Sequence, residues 1–107
     1  MRLRRGPFDE LVERQLALLA SDEAALFAEA DGAEQAWIRT GREDAEEAYG
    51  DYQLVLDAIA DRLLELREAY AATLGDDKVD AYRRAFAAGV RRRFGRYRSV
   101  VSDVEPD

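Results

Sequence analysis

Prolines lie at the two ends of this 107-residue chain and not within it. Pro7 and Pro106 are the two that occur, so residues 8–105 lack the residue that most strongly breaks a helix. Asparagine, a common turn residue, is absent. Beyond Val100 and Val101, no run of β-branched residues alternates as it does in a strand. The sequence therefore predicts an all-α fold built from long helices.

The middle segment, residues 42–74, has the clearest helical periodicity. Apolar residues recur alternately four and three positions apart through four heptads, a spacing that places them on one helix face. They are Ala45, Tyr49, Tyr52, Leu56, Ile59, Leu63, Leu66 and Tyr70, followed by Thr73. Further apolar residues widen this surface: Leu54, Val55, Ala58, Ala60 and Leu64. A helix with so wide an apolar surface is expected to contact two neighbours inside a bundle.

The first segment is predicted as one helix over about 7–39. The same four-three spacing continues from Val12 to Trp37, so the helical phase persists through residues 21–32 even though a kink is expected there. The alternative splits the segment in that region. Ser21, followed by two acidic residues, would then cap the N-terminus of a second helix.

The remaining boundaries complete a single helical domain spanning residues 1–107. Gly41 and Gly75 mark two short connections, and glycine suits the end of a helix. Short connections place consecutive helices antiparallel, so the prediction is a three-helix bundle running up, down and up. The second and third helices are predicted over about 42–74 and 77–99, and a tail without apolar period, 102–107, is predicted to fray.

Charge is distributed unevenly between the last two helices. Residues 83–98 contain seven arginines and no acid, whereas residues 43–68 contain nine acids and two arginines. An antiparallel hairpin would bring residues 91–98 beside the acids at the start of the second helix, which are Glu43, Asp44, Glu46, Glu47 and Asp51. Opposite charges favour that orientation, although each surface pair contributes only about 0–1 kcal/mol. The sequence therefore predicts a charge-complementary hairpin.

The arginine-rich end of the third helix is the candidate surface for an anion or a partner. Its residues are Arg91, Arg92, Arg93, Arg96 and Arg98, interleaved with Phe94 and Tyr97. Arginine and aromatic side chains together can bind phosphates and stack on bases. The net charge of −7 disfavours nucleic acid, whose partners usually present an uncompensated basic face. Helical spacing also places Arg93 on the apolar face between Phe86 and Tyr97, where an arginine usually pairs with a carboxylate or an anion.

The composition excludes most catalytic chemistry. Without cysteine or histidine there is no thiol nucleophile, no imidazole base and no zinc site of the usual kind. Acidic pairs of the form Glu-x-x-Glu occur at Glu43/Glu46 and Glu65/Glu68. On one helix, however, Glu46 and Glu65 would stand about 28 Å apart, too far for one magnesium site. We therefore expect no enzyme activity and no cofactor, with a magnesium-dependent nucleotide hydrolase kept as an alternative.

The expected function is that of a small helical interaction or assembly module that associates with itself, as a homodimer, or with another protein. The apolar arc of the middle helix, extended by Leu54 and Leu64, is wider than two neighbouring helices need, and a second copy could cover the excess. The alternative is an anion or nucleic-acid binder that uses the arginine-rich end.

A cytoplasmic location without membrane contact is expected. The basic start of the chain is followed by charged residues and not by an apolar region, and no run approaches the ~20 apolar residues that span a bilayer.

Overall fold

Five α-helices and one 3-10 turn form the fold in the computed structural model, which describes residues 6–105. In chain order they are α1 (Asp9–Asp22), α2 (Ala24–Arg39), the 3-10 turn (Arg42–Asp44), α3 (Ala45–Ala71), α4 (Asp76–Phe94) and α5 (Arg98–Val104). The part of the chain so described contains no strand, and the all-α prediction is confirmed. The up-down-up arrangement of three helices is not confirmed.

The first predicted helix is divided at Glu23, inside the region 21–32 where the sequence allows a kink or a split. Glu23 has φ −106° and ψ 29°, outside helical values, although its N–H still donates to the carbonyl of Leu19 at 2.8 Å. The break falls within the predicted region, two residues after Ser21. It separates helices with different partners, since α1 packs on α4 whereas α2 packs along α3.

Helices α2 and α3 form an antiparallel hairpin around the 3-10 turn. The rings of Trp37 and Tyr49 lie 4.8 Å apart near the turn, and Glu23 meets Arg62 at 3.5 Å at the far end. The α3 residues that the periodicity placed on one face supply much of the core. Tyr52, Leu56, Ile59 and Leu63 are all buried.

Helix α1 crosses α4 at a point where α4 carries a glycine. A Cβ atom on the buried Gly89 would lie 2.6 Å from Cγ1 of Val12 and 3.1 Å from Cδ1 of Leu16. Two turns earlier on α4, Tyr82 donates to Oε1 of Gln15 at 2.9 Å. The missing side chain of Gly89 therefore lets α1 approach α4 closely.

The end of the chain differs most from the prediction. The third predicted helix stops at Phe94, and a separate helix, α5, follows the turn at Gly95. Val100 and Val104 of α5 are fully buried, and Nη1 of Arg67 donates to the carbonyl of Val104 at 3.0 Å. The prediction of a frayed tail is therefore wrong for residues 102–104, because α5 packs on α3; residues 106 and 107 lie outside the described part.

One hydrophobic core includes residues from all five helices, among them Val12, Ala30, Leu56, Phe86 and Val100. The molecule is nevertheless elongated, measuring 51 × 34 × 26 Å. Its Cα radius of gyration is 15.7 Å, whereas a compact domain of this length has about 13 Å. Among the described residues, no helix combines the length and the apolar character needed to cross a membrane.

Candidate functional site

The arginine-rich end does not pair with the start of α3, so the predicted charge-complementary hairpin is wrong in its pairing. Within residues 6–105, the ion pair that joins α4 to α3 is Arg83 to Glu68, 2.6 Å, close to the turn between the two helices. The physical reason is α5, which returns beside α3. The end of α4 contacts α2 instead, where Phe94 stacks on Phe27 with ring centroids 5.1 Å apart.

Arg96 belongs to a polar network that ties the α4–α5 turn to α2 and α3. Its Nη2 lies 3.0 Å from Oε1 of Glu34 and 3.1 Å from Oδ1 of Asp31. Tyr97 donates to the same Asp31 oxygen at 3.0 Å, and Tyr52 of α3 donates to Oε2 of Glu34 at 3.3 Å. Three donors thus surround two carboxylates, which gives the turn a fixed position.

The two tyrosines in this network remain protonated at neutral pH. Burial, reinforced by the hydrogen bond to Asp31, raises the pKa of Tyr97 to about 12. Burial also raises the pKa of Tyr52, and the charge of Glu34 adds to the effect. Both hydroxyls therefore act as hydrogen-bond donors to carboxylates, a structural role and not a reactive one.

Arg92 and Arg93 lie on the wall of an open cavity of about 240 Å³ where α1 crosses α4. Glu13, Leu16 and Gly89 complete its lining. Arg93 lies within α4, one turn after the buried Gly89, on the side of the helix that its spacing from Phe86 predicts. Its side chain is exposed.

The other two predicted arginines lie at the surface. Nη2 of Arg91 pairs with Oε1 of Glu105 at 2.8 Å, and the Arg91 side chain is still 58% exposed. Arg98 is exposed and begins α5. The structure thus divides the five arginines among a network, a cavity and an open surface, and does not gather them at one site.

The acidic pairs do not form a metal centre in the described structure. In residues 6–105 no group of three or more aspartates or glutamates is close enough to hold a metal ion. Glu65 pairs with Arg62 at 2.9 Å, and Glu68 accepts hydrogen bonds from Arg67 and Arg83. The hydrogen bond from Arg83 is the main reason that the pKa of Glu68 is lowered.

The two candidate interface leucines on α3 have different surroundings. Leu54 is 69% exposed, whereas Leu64 is partly buried and packs against the core. The residues spaced four and three apart around Leu54, namely Glu47, Asp51, Ala58 and Asp61, form the outward face of α3. Apart from the partly buried Ala58 they are exposed, so Leu54 is an isolated apolar residue on an acidic face.

The network residues that the sequence analysis did not single out are Asp31 and Glu34. They are spaced three apart on α2, a spacing that places both side chains on one face. They flank the apolar stripe that includes Ala30 and Ala33. That position beside a core-facing stripe is the signal that could have identified them.

Comparison of the chain with protein-family models, with curated proteins and with solved structures finds no match.

Proposed function

We propose that this chain is a non-catalytic helical interaction module that associates with a second copy of itself. The observation that carries the proposal is Leu54, 69% exposed on the outward face of α3. The opposite face of that helix is buried by α2 and α5. An exposed leucine that faces no other helix of the chain can be covered by a second molecule.

The surface area of the molecule supports the same proposal. Its accessible surface is 7305 Å², whereas a compact monomer of 12.1 kDa exposes about 6000 Å². The excess agrees with the elongated shape. Association would remove part of this surface from water, and hydrophobic burial contributes about 25 cal/mol per Å² of apolar area.

The test is the solution mass of Leu54→Lys measured by light scattering. We expect a dimer for the wild type and a shift to monomer for the variant, because a lysine at the centre of an interface brings a charge that must be desolvated. Leu18→Lys is the matched control, since Leu18 is 64% exposed on α1. A wild type that is monomeric, or a Leu54→Lys variant with the mass of the wild type, would contradict the proposal.

Leu64→Lys separates association from folding. Because Leu64 packs against the core, this substitution is expected to lower the free energy of unfolding, whereas Leu54→Lys is expected to leave the unfolding of the monomer unchanged. Urea denaturation with circular dichroism measures both effects.

A second candidate function, anion binding, is favoured by the cavity between α1 and α4. Two guanidinium groups, those of Arg92 and Arg93, line it together with one carboxylate. Titration with inorganic phosphate, followed by calorimetry, is expected to give saturable binding that Arg92→Glu/Arg93→Glu abolishes. Arg39→Glu/Arg42→Glu, which changes two exposed arginines elsewhere, is the control. Equal binding by both variants would contradict a site in the cavity.

A further inference from the structure

We infer that two copies of the chain associate through opposite charges, the acidic outward face of α3 in one copy lying against the basic outward face of α4 in the other. The acidic face consists of Glu47, Asp51 and Asp61 around Leu54. The basic face consists of Arg84, Arg91 and Arg92. This inference rests on the proposed self-association and specifies the surfaces that carry it.

The acidic face is not neutralised within its own chain. In the described part of the molecule, none of Glu47, Asp51 and Asp61 forms an ion pair. Asp44, Glu47 and Asp51 line a shallow surface cavity of about 320 Å³ at the start of α3. Such a cavity is wide enough for guanidinium groups, which carboxylates bind with fixed geometry.

The basic face is also exposed, and only part of its charge is paired within its own chain. Arg84 and Arg91 are seven residues apart on α4, so both lie on its outward face, and Arg92 lies at the edge of that face, where it also lines the cavity against α1. All three are exposed, and within the described structure only Arg91 forms an ion pair, with Glu105. Apart from Arg91, the charges of these two faces are unpaired inside one chain, and they are complementary between two chains.

An antiparallel alignment of the two faces is electrostatically favourable. Helix α4 begins with the acids Asp76, Asp77 and Asp80 and ends with arginines. The acidic first half of the partner copy's α3 is therefore attracted to the end of α4, which aligns the two helices antiparallel. Ala58 and Ala88 are the small residues near the middle of the two faces, and small residues there allow close approach. The aliphatic stems of the arginines can then cover Leu54.

Two-fold symmetry allows the contact to form twice in one dimer. In an isologous dimer, the acidic face of each copy meets the basic face of the other. A single surface ion pair contributes only about 0–1 kcal/mol, so several pairs and the burial of Leu54 are needed together. Because the Debye length falls from about 10 Å at 0.1 M salt to about 3 Å at 1 M, the assembly is expected to weaken with salt.

The experiment uses two charge-reversed variants of the full chain. One is Glu47→Arg/Asp51→Arg/Asp61→Arg, and the other is Arg84→Glu/Arg91→Glu/Arg92→Glu. Light scattering at low salt is expected to show that each variant alone is monomeric, because both of its faces then carry the same sign of charge. An equimolar mixture is expected to recover the mass of the wild-type assembly, since every contact between the two variants pairs opposite charges.

The control carries the same charge change at another place. Glu10→Arg/Glu29→Arg/Asp103→Arg alters three exposed acids outside both faces and is expected to keep the wild-type mass. Circular dichroism verifies that every variant is folded. Variants that keep the wild-type mass, or a mixture that stays monomeric, would overturn the charge-paired interface and leave the proposed self-association standing. A wild type that is monomeric at low salt would overturn both.

Discussion

Gly89 is the residue on which the contact between α1 and α4 depends. Glycine in the interior of a helix costs about 1 kcal/mol relative to alanine, so an alanine would be preferred if space allowed. The space is absent, because a Cβ atom would lie 2.6 Å from a methyl group of the buried Val12. Valine has a restricted χ1 angle, so its methyl group cannot easily move away.

Gly89→Ala is therefore expected to destabilise the protein by about 1–3 kcal/mol, the usual cost of overpacking a core. Gly50→Ala is the matched control, because nothing lies within 4 Å of a Cβ atom at that exposed position of α3. That control is expected to stabilise the protein by up to about 1 kcal/mol. Urea denaturation measures both, and a Gly89→Ala variant as stable as the control would show that α1 can retreat.

Tyr97 links stability to alkaline pH. Its pKa is raised by burial to about 12 from a reference value of 10.0, so the folded state holds the proton more tightly than the unfolded state. Stability is fully present below pH 10 and falls as the pH rises toward 12, by a few kcal/mol at most. Tyr97→Phe should make this fall less steep, while Tyr82, whose pKa burial also raises to about 12, keeps its share. Denaturation at several pH values measures the slope, and an unchanged slope would contradict the assignment.

Among the elements, α5 shows how a short helix can be essential to the core. It has seven residues, and both Val100 and Val104 are completely buried. Arg67 from α3 supplies a donor to the carbonyl of Val104, one of the carbonyls that a helix end leaves without a partner inside the helix. A segment held by both packing and capping behaves as part of the domain.

Val104→Ala is expected to destabilise the protein by about 2 kcal/mol, from two lost methyl groups and the space they leave. Val101→Ala, on the partly exposed side of the same helix, is expected to cost less. Thermal unfolding followed by circular dichroism compares the two variants. Equal losses would mean that α5 contributes by its helical structure alone and not by the packing of Val104.

The long α3 helix was predictable, whereas its neighbours were only partly so. Its apolar spacing runs through four heptads, and local periodicity is enough to define such a helix. The cap signal at Ser21 indicates a kink or a split within 21–32, but the apolar phase is continuous there, and only the different partners of α1 and α2 place the break at Glu23. Tyr97, Val100 and Val104 also follow a three-four spacing, but this stretch is too short to be recognised without α3 beside it. Arg96 and Glu34, which are hydrogen-bonded in the polar network, are 62 positions apart in the sequence. Helical spacing cannot predict such a contact.

At the scale of the whole molecule, stability and association are linked by mass action. If two copies bind each other only when they are folded, a higher protein concentration stabilises the folded state. A tenfold change in an equilibrium constant corresponds to a free energy of about 1.4 kcal/mol. The elongated chain has 7305 Å² of accessible surface, and association would bury part of it.

The melting temperature of the wild type is therefore expected to rise with protein concentration. Leu54→Lys should remove this dependence and leave the melting temperature of the dilute protein unchanged. Calorimetry over a hundredfold range of concentration provides the measurement. A concentration-independent wild type would argue for a monomer.

The contact between α1 and α4 also predicts an order in which the helices dock during folding. Gln15 and Tyr82 are 67 residues apart, so their contact closes a far longer loop than the α2–α3 hairpin does, and loop closure costs more entropy as the loop lengthens. Helix α1 buries only Val12 and Leu16. We therefore expect α1 to be the last helix to dock during folding and the first to open in the native state, with its amides exchanging with solvent deuterium before those of α3.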